Sequence, residues 1–251
     1  MWFDSHCHLH LCEENGTLDE VVGRARAAGV MSMLTVGIDI PSSRRSVEIA
    51  SSFDLKAAVG VHPNSSTEWS DAAESELREL LSSDVVGAIG ETGLDFYRDY
   101  APADTQRAAF VAHIELARSF DKALVIHTRD SMSEALDVLV DVGPPERLVF
   151  HCWSGDDAQL TRALEIGAHI SFAGNVSFKS AANLRTAAAA VPDGRLLVET
   201  DSPYLSPEPH RGKPNEPRQV SFVGLAVAQA RDVPMQALAD LTYRNATALF
   251  A

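Results

Sequence analysis

Eight short apolar runs alternate with helix-length stretches along this chain, and few folds accept such a series. The runs lie at residues 1–4, 31–36, 55–59, 85–89, 123–126, 147–150, 169–172 and 196–198. Helical spacing of apolar residues fills the intervals at 18–28, 42–51, 72–81, 105–120, 132–140, 158–166 and 181–190, and two further helical stretches, 220–231 and 235–250, close the chain. A strand that is apolar throughout, rather than at alternate positions, is covered on both faces, as strands of a parallel sheet are. Strand and helix in regular alternation build βα units around such a sheet. An open, doubly wound sheet usually carries a Gly-rich nucleotide loop after its first strand. Here the first run leads instead into Asp4-Ser5-His6-Cys7-His8. The expected fold is therefore α/β, a (β/α)8 TIM barrel occupying residues 1–251 as one domain, a usual length for that architecture.

The strongest metal-binding side chains fall at one end of the pattern. His6, His8, Glu91, His127, His151 and Asp201 each stand where an apolar run ends. In a parallel barrel all strand C-termini share one rim, so residues far apart in sequence are expected to converge there. Residues i and i+2 of a strand share a face. His6 and His8 can thus grip one ion while Cys7 turns into packing, and Asp4, one step deeper, is placed to orient a ligand imidazole. Glu91 can bridge two cations, which a neutral imidazole cannot do. His127 and His151 end the fifth and sixth runs and suit zinc, manganese or iron.

Asp201 could hold a metal through one oxygen and take a proton from a bound water through the other. Coordination lowers the pKa of such a water from ~15.7 toward ~7, making hydroxide available for attack. Glu199 shares its face and is expected to hydrogen-bond inside the barrel, while His62, in Gly60-Val61-His62-Pro63, could contact a phosphate or stabilise a leaving group. Four histidines with two carboxylates match a dinuclear hydrolytic centre holding two divalent ions, zinc, manganese or magnesium. Cys152, next to His151, is expected to face away from it. His10 and His210 read as loop residues, His113 as a helix residue and His169 as the start of a strand at the opposite end.

A net charge of −14 argues against the broad basic surface of a nonspecific nucleic-acid binder. Local phosphate recognition is compatible with it, because metal ions reverse the field where ligands converge and Arg211, Lys213 and Arg218 cluster late in the chain. No apolar run approaches the ~20 residues of a membrane span, and Trp2-Phe3-Asp4 does not read as a basic, then apolar leader. Three cysteines point to reduced thiols and a cytoplasmic location. Residues 91–103 and 202–218 are expected as long loops on the catalytic rim, the second stiffened by its prolines.

Read together, these segments resemble the TatD family of metal-dependent deoxyribonucleases over essentially the whole chain. Asp4-Ser5-His6-Cys7-His8 is similar to the family's opening motif. Gly60-Val61-His62-Pro63, Gly90-Glu91-Thr92-Gly93-Leu94-Asp95, His127-Thr128-Arg129, His151-Cys152-Trp153-Ser154-Gly155 and Glu199-Thr200-Asp201-Ser202-Pro203-Tyr204 resemble its later ones in order, and Arg211-Gly212-Lys213-Pro214-Asn215-Glu216-Pro217 its late loop. The resemblance implies a metal-dependent hydrolase barrel of the amidohydrolase type, with His6, His8, Glu91, His127, His151 and Asp201 as metal ligands. It implies phosphodiester cleavage in DNA, from single-stranded or 3′ ends. Asp201 would then be base and ligand, Glu91 the bridge, His62 a catalytic neighbour, and Arg129, Arg211, Lys213 and Tyr204 substrate contacts. Trp153, Phe96, Tyr97 and Tyr204 could stack bases. No membrane partner is expected, and a monomer is favoured. The alternative is hydrolysis of a small amide, lactone or organophosphate at the same dinuclear site, which calls for a closed apolar pocket rather than an open groove with basic and aromatic walls. A noncatalytic binding protein on the same barrel is disfavoured by the intact ligand set.

Overall fold

Eight parallel strands follow one another in chain order around a single sheet. They are β1 (Trp2–Cys7), β2 (Val30–Val36), β3 (Lys56–Val59), β4 (Val86–Asp95), β5 (Ala123–Arg129), β6 (Leu148–Phe150), β7 (His169–Phe172) and β8 (Leu196–Val198). Between them lie α1 (Leu18–Ala27), α2 (Ile40–Phe53), α3 (Asp71–Leu80), α4 (Ala103–Ser119), α5 (Met132–Val142), α6 (Asp157–Glu165) and α7 (Ala182–Ala190), followed by α8 (Val220–Arg231) and α9 (Met235–Leu249). The computed structural model describes residues 1–251, except the side chains of Glu14 and Asn15.

No continuous ladder joins β8 to β1; the seam is closed just beyond β8. Cys7 bridges Ser202, the Asp201 N–H donates to the His6 carbonyl at 2.9 Å, and the His8 N–H donates to the Ser202 carbonyl at 2.8 Å. The fully buried Asp4 carboxylate reinforces the seam, accepting from the Thr200 N–H at 2.8 Å and the Thr200 hydroxyl at 2.5 Å. The barrel is thereby closed, and the backbone that closes it carries His6, His8 and Asp201. The expectation that Asp4 orients a ligand imidazole is corrected. Its oxygens are committed to Thr200 and to the His6 N–H at 3.4 Å.

Strand residues alternate between two packed groups. Met33, Val59, Ile89, Ile126, Phe150, Phe172 and Val198 pack with residues of the surrounding helices. Phe3, Ala58, Ala88, Val125, Val149 and Leu197 form a second group with Ala246, Leu249 and Phe250 at the end of α9. Arg147, just before β6, donates to the carbonyls of Leu249 and Ala251, so the C-terminal turn closes the barrel end opposite the histidines.

Helix starts follow local chemistry. Asp39 accepts from the Ser42 N–H at 2.8 Å with Pro41 in the first turn of α2, and Asp156 accepts from the Gln159 N–H at 2.8 Å at α6.

One element differs from the sequence expectation. The stretch 91–103 is not all loop, because β4 continues to Asp95, pairing Thr92 with Ile126 and Asp95 with Arg129. Glu91 therefore sits within a strand, held by neighbours on both sides.

His113, on α4, is a fully buried packing residue that fixes the segment before His62. Its Nδ1–H donates to the Ala109 carbonyl at 2.7 Å and its Nε2 accepts from the Val61 N–H at 3.0 Å. Burial pushes its pKa down to about 4 from 6.5. The unfolded chain therefore takes up this proton first as pH falls, and the neutral ring's stabilisation, complete above about 6.5, is lost on approach to about 4. Between those limits the unfolding free energy of the wild type should fall more steeply than that of His113→Leu, by up to ~1.4 kcal/mol per pH unit. Urea titrations of both proteins across that range check this; parallel pH profiles would show that His113 does not carry the effect.

Candidate metal centre

Glu91 reaches the barrel mouth because two glycines let β4 lie close to β5. Gly90 and Gly93 both have φ of +138°, where side chains are rarely tolerated, and a Cβ would meet the Val125 carbonyl oxygen at 2.5 Å and the His127 carbonyl oxygen at 2.1 Å respectively. The β4–β5 register breaks between Ile89 and Thr92, and the carboxylate between them is buried, at 3% exposure. Asp201 lies just past β8 with φ of 52°, in the left-handed region that Asp adopts more readily than most residues.

Around Glu91 the donor atoms form two groups. His6 Nε2 and His8 Nε2 lie 3.3 Å apart. They stand 3.5 and 3.7 Å from Glu91 Oε2, and 3.8 and 3.5 Å from Asp201 Oδ1. A tetrahedral ion with bonds of roughly 2.0–2.1 Å has ligand-to-ligand edges of about 3.3–3.4 Å; His6, His8 and Asp201 form a group of that scale that could hold one ion, with Glu91 Oε2 alongside both imidazoles. On the other side, Glu91 Oε1 lies 2.8 Å from His127 Nδ1 and 2.9 Å from His151 Nε2, and these two nitrogens are 3.2 Å apart. Those lengths are hydrogen-bond lengths, and this face must open by a few tenths of an ångström to admit an ion.

The imidazoles are aimed from behind. The His8 Nδ1–H donates to the Val36 carbonyl at 3.0 Å, which leaves the Nε2 lone pair toward the centre. His151 Nδ1 lies 3.2 Å from Glu199 Oε1, an oxygen that also accepts from the Cys152 N–H at 2.9 Å. His127 Nε2 lies 3.4 Å from Asp95 Oδ2. For Glu91, burial opposes ionisation, but the surrounding His151, His62 and His127 outweigh it and hold the carboxyl well below its usual range. Burial likewise works against charge on His151, yet Glu91 and Glu199 raise it well above the ordinary imidazole value. Where protons do this in the metal-free chain, a cation supplies the same charge.

Above the centre opens a cavity of about 640 Å³, lined by His8, His62, Glu91, His127, His151 and Asp201. Arg129 and Tyr204 also line it, whereas Arg211 and Lys213 do not. Arg211 instead lies 4.3 Å from the Phe178 ring, and Lys213 is exposed on the 202–218 loop.

Two expectations are corrected here. Trp153 cannot stack on a substrate, because it is fully buried edge-on against Phe150. Cys152 does not face away. β6 ends at Phe150, and with φ of 45° Cys152 turns out of strand alternation and lines the cavity, its Sγ 3.9 Å from Asn175 Nδ2.

The sequence reading missed Asp95, Asn64 and Asn175, all of which line the cavity. Asp95 had a signal, since it lies four residues beyond Glu91 on the same strand and so on the same face. The two asparagines had none; each sits in a short 3-10 turn whose position only the assembled barrel defines.

Residues 3–251 match the family model described as TatD related DNase. The chain belongs to the TatD family. It is 39% identical to a TatD protein of Mycobacterium tuberculosis named as an uncharacterised metal-dependent hydrolase, over 97% of this chain and 95% of that one. A Klebsiella pneumoniae relative named 3′-5′ ssDNA/RNA exonuclease TatD is 34% identical, covering 99% of this chain and 97% of its own. Among solved structures, the TatD homologue YjjV of Escherichia coli K12 superposes with a TM-score of 0.93 at 27% identity, covering 99% of this chain and 97% of its own. The chain is thus a metal-dependent hydrolase of the TatD family.

Because Glu91 offers one oxygen to each donor group, Glu91→Gln should weaken metal uptake at both. The expected result is a stoichiometry well below wild type by elemental analysis after dialysis against limiting zinc or manganese, with an unchanged circular dichroism spectrum. Wild-type stoichiometry in the variant would remove Glu91 from the bridging position.

Proposed function

We propose that this chain hydrolyses phosphodiester bonds in DNA, releasing nucleotides from an exposed single-stranded 3′ end. The observation that carries the reading is one buried carboxylate, Glu91, shared between two groups of nitrogen and oxygen donors at the floor of a cavity with an arginine, Arg129, in its wall. The name of the Klebsiella relative supports the same substrate class. His6, His8, Asp201 and Glu91 Oε2 would hold one divalent ion, and His127, His151 and Glu91 Oε1 the other. Mixed imidazole and carboxylate donors suit zinc or manganese. When bound, such ions neutralise charge on phosphoryl oxygens and lower the pKa of water toward ~7.

The chain's own residues do the rest. Burial pushes the Asp201 carboxyl up, but His8, His151 and His6 outweigh it and hold the pKa below its ordinary value. Asp201 is therefore ionised at neutral pH and able to accept a proton from the attacking water. His62 Nδ1 accepts from the Asn64 N–H at 3.1 Å, which places the neutral ring's proton on Nε2. Burial, with His127 nearby, drives the His62 pKa to about 3, so the ring serves as a neutral hydrogen-bond donor to the departing oxygen. Arg129, exposed at the end of β5, engages a phosphate of the bound strand, and Tyr204, 54% exposed, offers a face for the terminal base or sugar.

Asp201→Asn is close to isosteric, and its backbone bonds to His6 and Tyr204 remain available. It should keep the fold and lower kcat on a single-stranded oligonucleotide by ~10²–10⁴, the usual span of general-base catalysis. Turnover within a few-fold of wild type would remove Asp201 as the base.

Arg129→Ala removes one charge-assisted contact of ~1.5–3 kcal/mol, so kcat/KM on the oligonucleotide should fall about ten- to a hundredfold. A small phosphodiester that reaches only the metals should be far less affected. Equal losses on both would mean that Arg129 supports the centre rather than the strand. A wild type inert toward DNA with every divalent metal, yet active on small amides, lactones or organophosphates, would overturn the nuclease reading.

A further inference from the structure

The segment after β4 and the end of β5 together present two tyrosine rings interleaved with two guanidinium groups at the cavity's edge. The Arg129 guanidinium lies 3.7 Å from the Tyr97 ring centroid. Arg98 lies 5.4 Å from the Tyr97 centroid and 5.8 Å from that of Tyr100. Contacts therefore run in the order Arg129, Tyr97, Arg98, Tyr100, and Arg98, Tyr100 and Arg129 line the cavity over the metal ligands. The rings are not core residues, since Tyr97 is 57% and Tyr100 65% exposed.

The backbone beneath is anchored. Asp95 Oδ1 accepts from the Tyr97 N–H at 3.0 Å and the Arg98 N–H at 3.1 Å, while its other oxygen faces His127 Nε2 at 3.4 Å. One buried carboxylate thus fixes the segment relative to the centre. Arg129 also helps line an adjoining hollow of about 550 Å³ with Phe96, so room for a bound chain continues past Arg129.

We propose that Tyr97, Arg98 and Tyr100, continued by Arg129, form a stacking ladder that receives the unpaired nucleotides next to the scissile bond and selects single-stranded DNA over duplex. Every base has a π-face that can lie on an aromatic ring or a guanidinium plane, and each guanidinium can also meet a phosphate. In duplex DNA the base faces are already stacked on one another and cannot be offered. Asp99 and Asp130 adjoin these arginines on a chain of net charge −14, so the rim suits a strand through ring and guanidinium faces and single phosphate contacts rather than through a broad positive field. This inference rests on the nuclease reading for its link to turnover, and binding tests it separately.

The test compares wild type with the double variant Tyr97→Leu, Tyr100→Leu, and with the double variant to Phe, each loaded with manganese. Fluorescence anisotropy with a labelled ten-nucleotide oligothymidylate reads binding; kinetics on that oligonucleotide and on methyl p-nitrophenyl phosphate read turnover. Loss of base stacking should raise Kd and KM for the oligonucleotide about ten- to a hundredfold in the Leu variant. The small diester should change less than about twofold, and the Phe variant should stay near wild type. Preference for single strand over a blunt duplex should narrow by the same factor.

Unchanged oligonucleotide binding in the Leu variant overturns the ladder, even if DNA cleavage by the wild type upholds the nuclease. An equal loss on both substrates also overturns it, by showing that the segment supports the centre. A wild type that binds the oligonucleotide through the tyrosines but cleaves no DNA upholds the ladder and overturns the nuclease reading instead.

Discussion

A carboxylate buried at the mouth of the barrel must have its charge compensated, and the arrangement around Glu91 answers that requirement. An isolated buried carboxylate is strongly disfavoured, while one surrounded by donors that can carry protons or share cations is not. Imidazole nitrogens from β1, β5 and the segments following β1, β3 and β6 all lie within 2.8–3.7 Å of its two oxygens. Glu199, Asp95 and the Val36 carbonyl stand behind the imidazoles as acceptors. The centre is therefore a nested set of opposite charges and dipoles, in which moving one member exposes another without compensation.

Barrel closure and the centre are held by the same bonds. The backbone link between Asp201 and His6, the link between His8 and Ser202, and the Asp4–Thr200 contacts stitch the β8 side to β1. Three donors of one group come from the two sides of that seam. Distortion of the seam would separate Asp201 from His6 and His8, so barrel closure and the geometry of this donor group are coupled in this chain. At the far end of the barrel, Leu249 and Phe250 pack among the strands without approaching the centre. The division between a stabilising end and a chemical end is the one expected of this architecture.

Much of this was legible in the sequence because both signals are local. The apolar runs and helical spacing reflect strands covered on both faces, and short-range periodicity records that directly. His6, His8, Glu91, His127, His151 and Asp201 stood out because each follows or ends such a run, and the shared rim of a parallel barrel brings strand ends together regardless of sequence distance. The late cations were harder to read. Arg129 belongs to a strand and its place follows from the strand, whereas Arg211 and Lys213 lie on a long loop whose path has no periodic signature.

The sequence by itself determined the order of strands and helices, the end of the barrel that carries the chemistry, and the residue types that meet there. Tertiary structure decided what each neighbour does. Asp4 bonds Thr200 across the seam because closure brings that partner within 2.5–2.8 Å. Cys152 enters the cavity because a left-handed backbone turn ends the alternation that would have turned it away. Trp153 is buried, and Tyr97 and Tyr100 are left exposed beside Arg98, although nothing in their local sequence distinguishes core from rim. The physical reason is common to all of these: side-chain periodicity is a property of one strand or helix, while closure, turns and loop anchoring depend on contacts between segments that only the assembled barrel brings together.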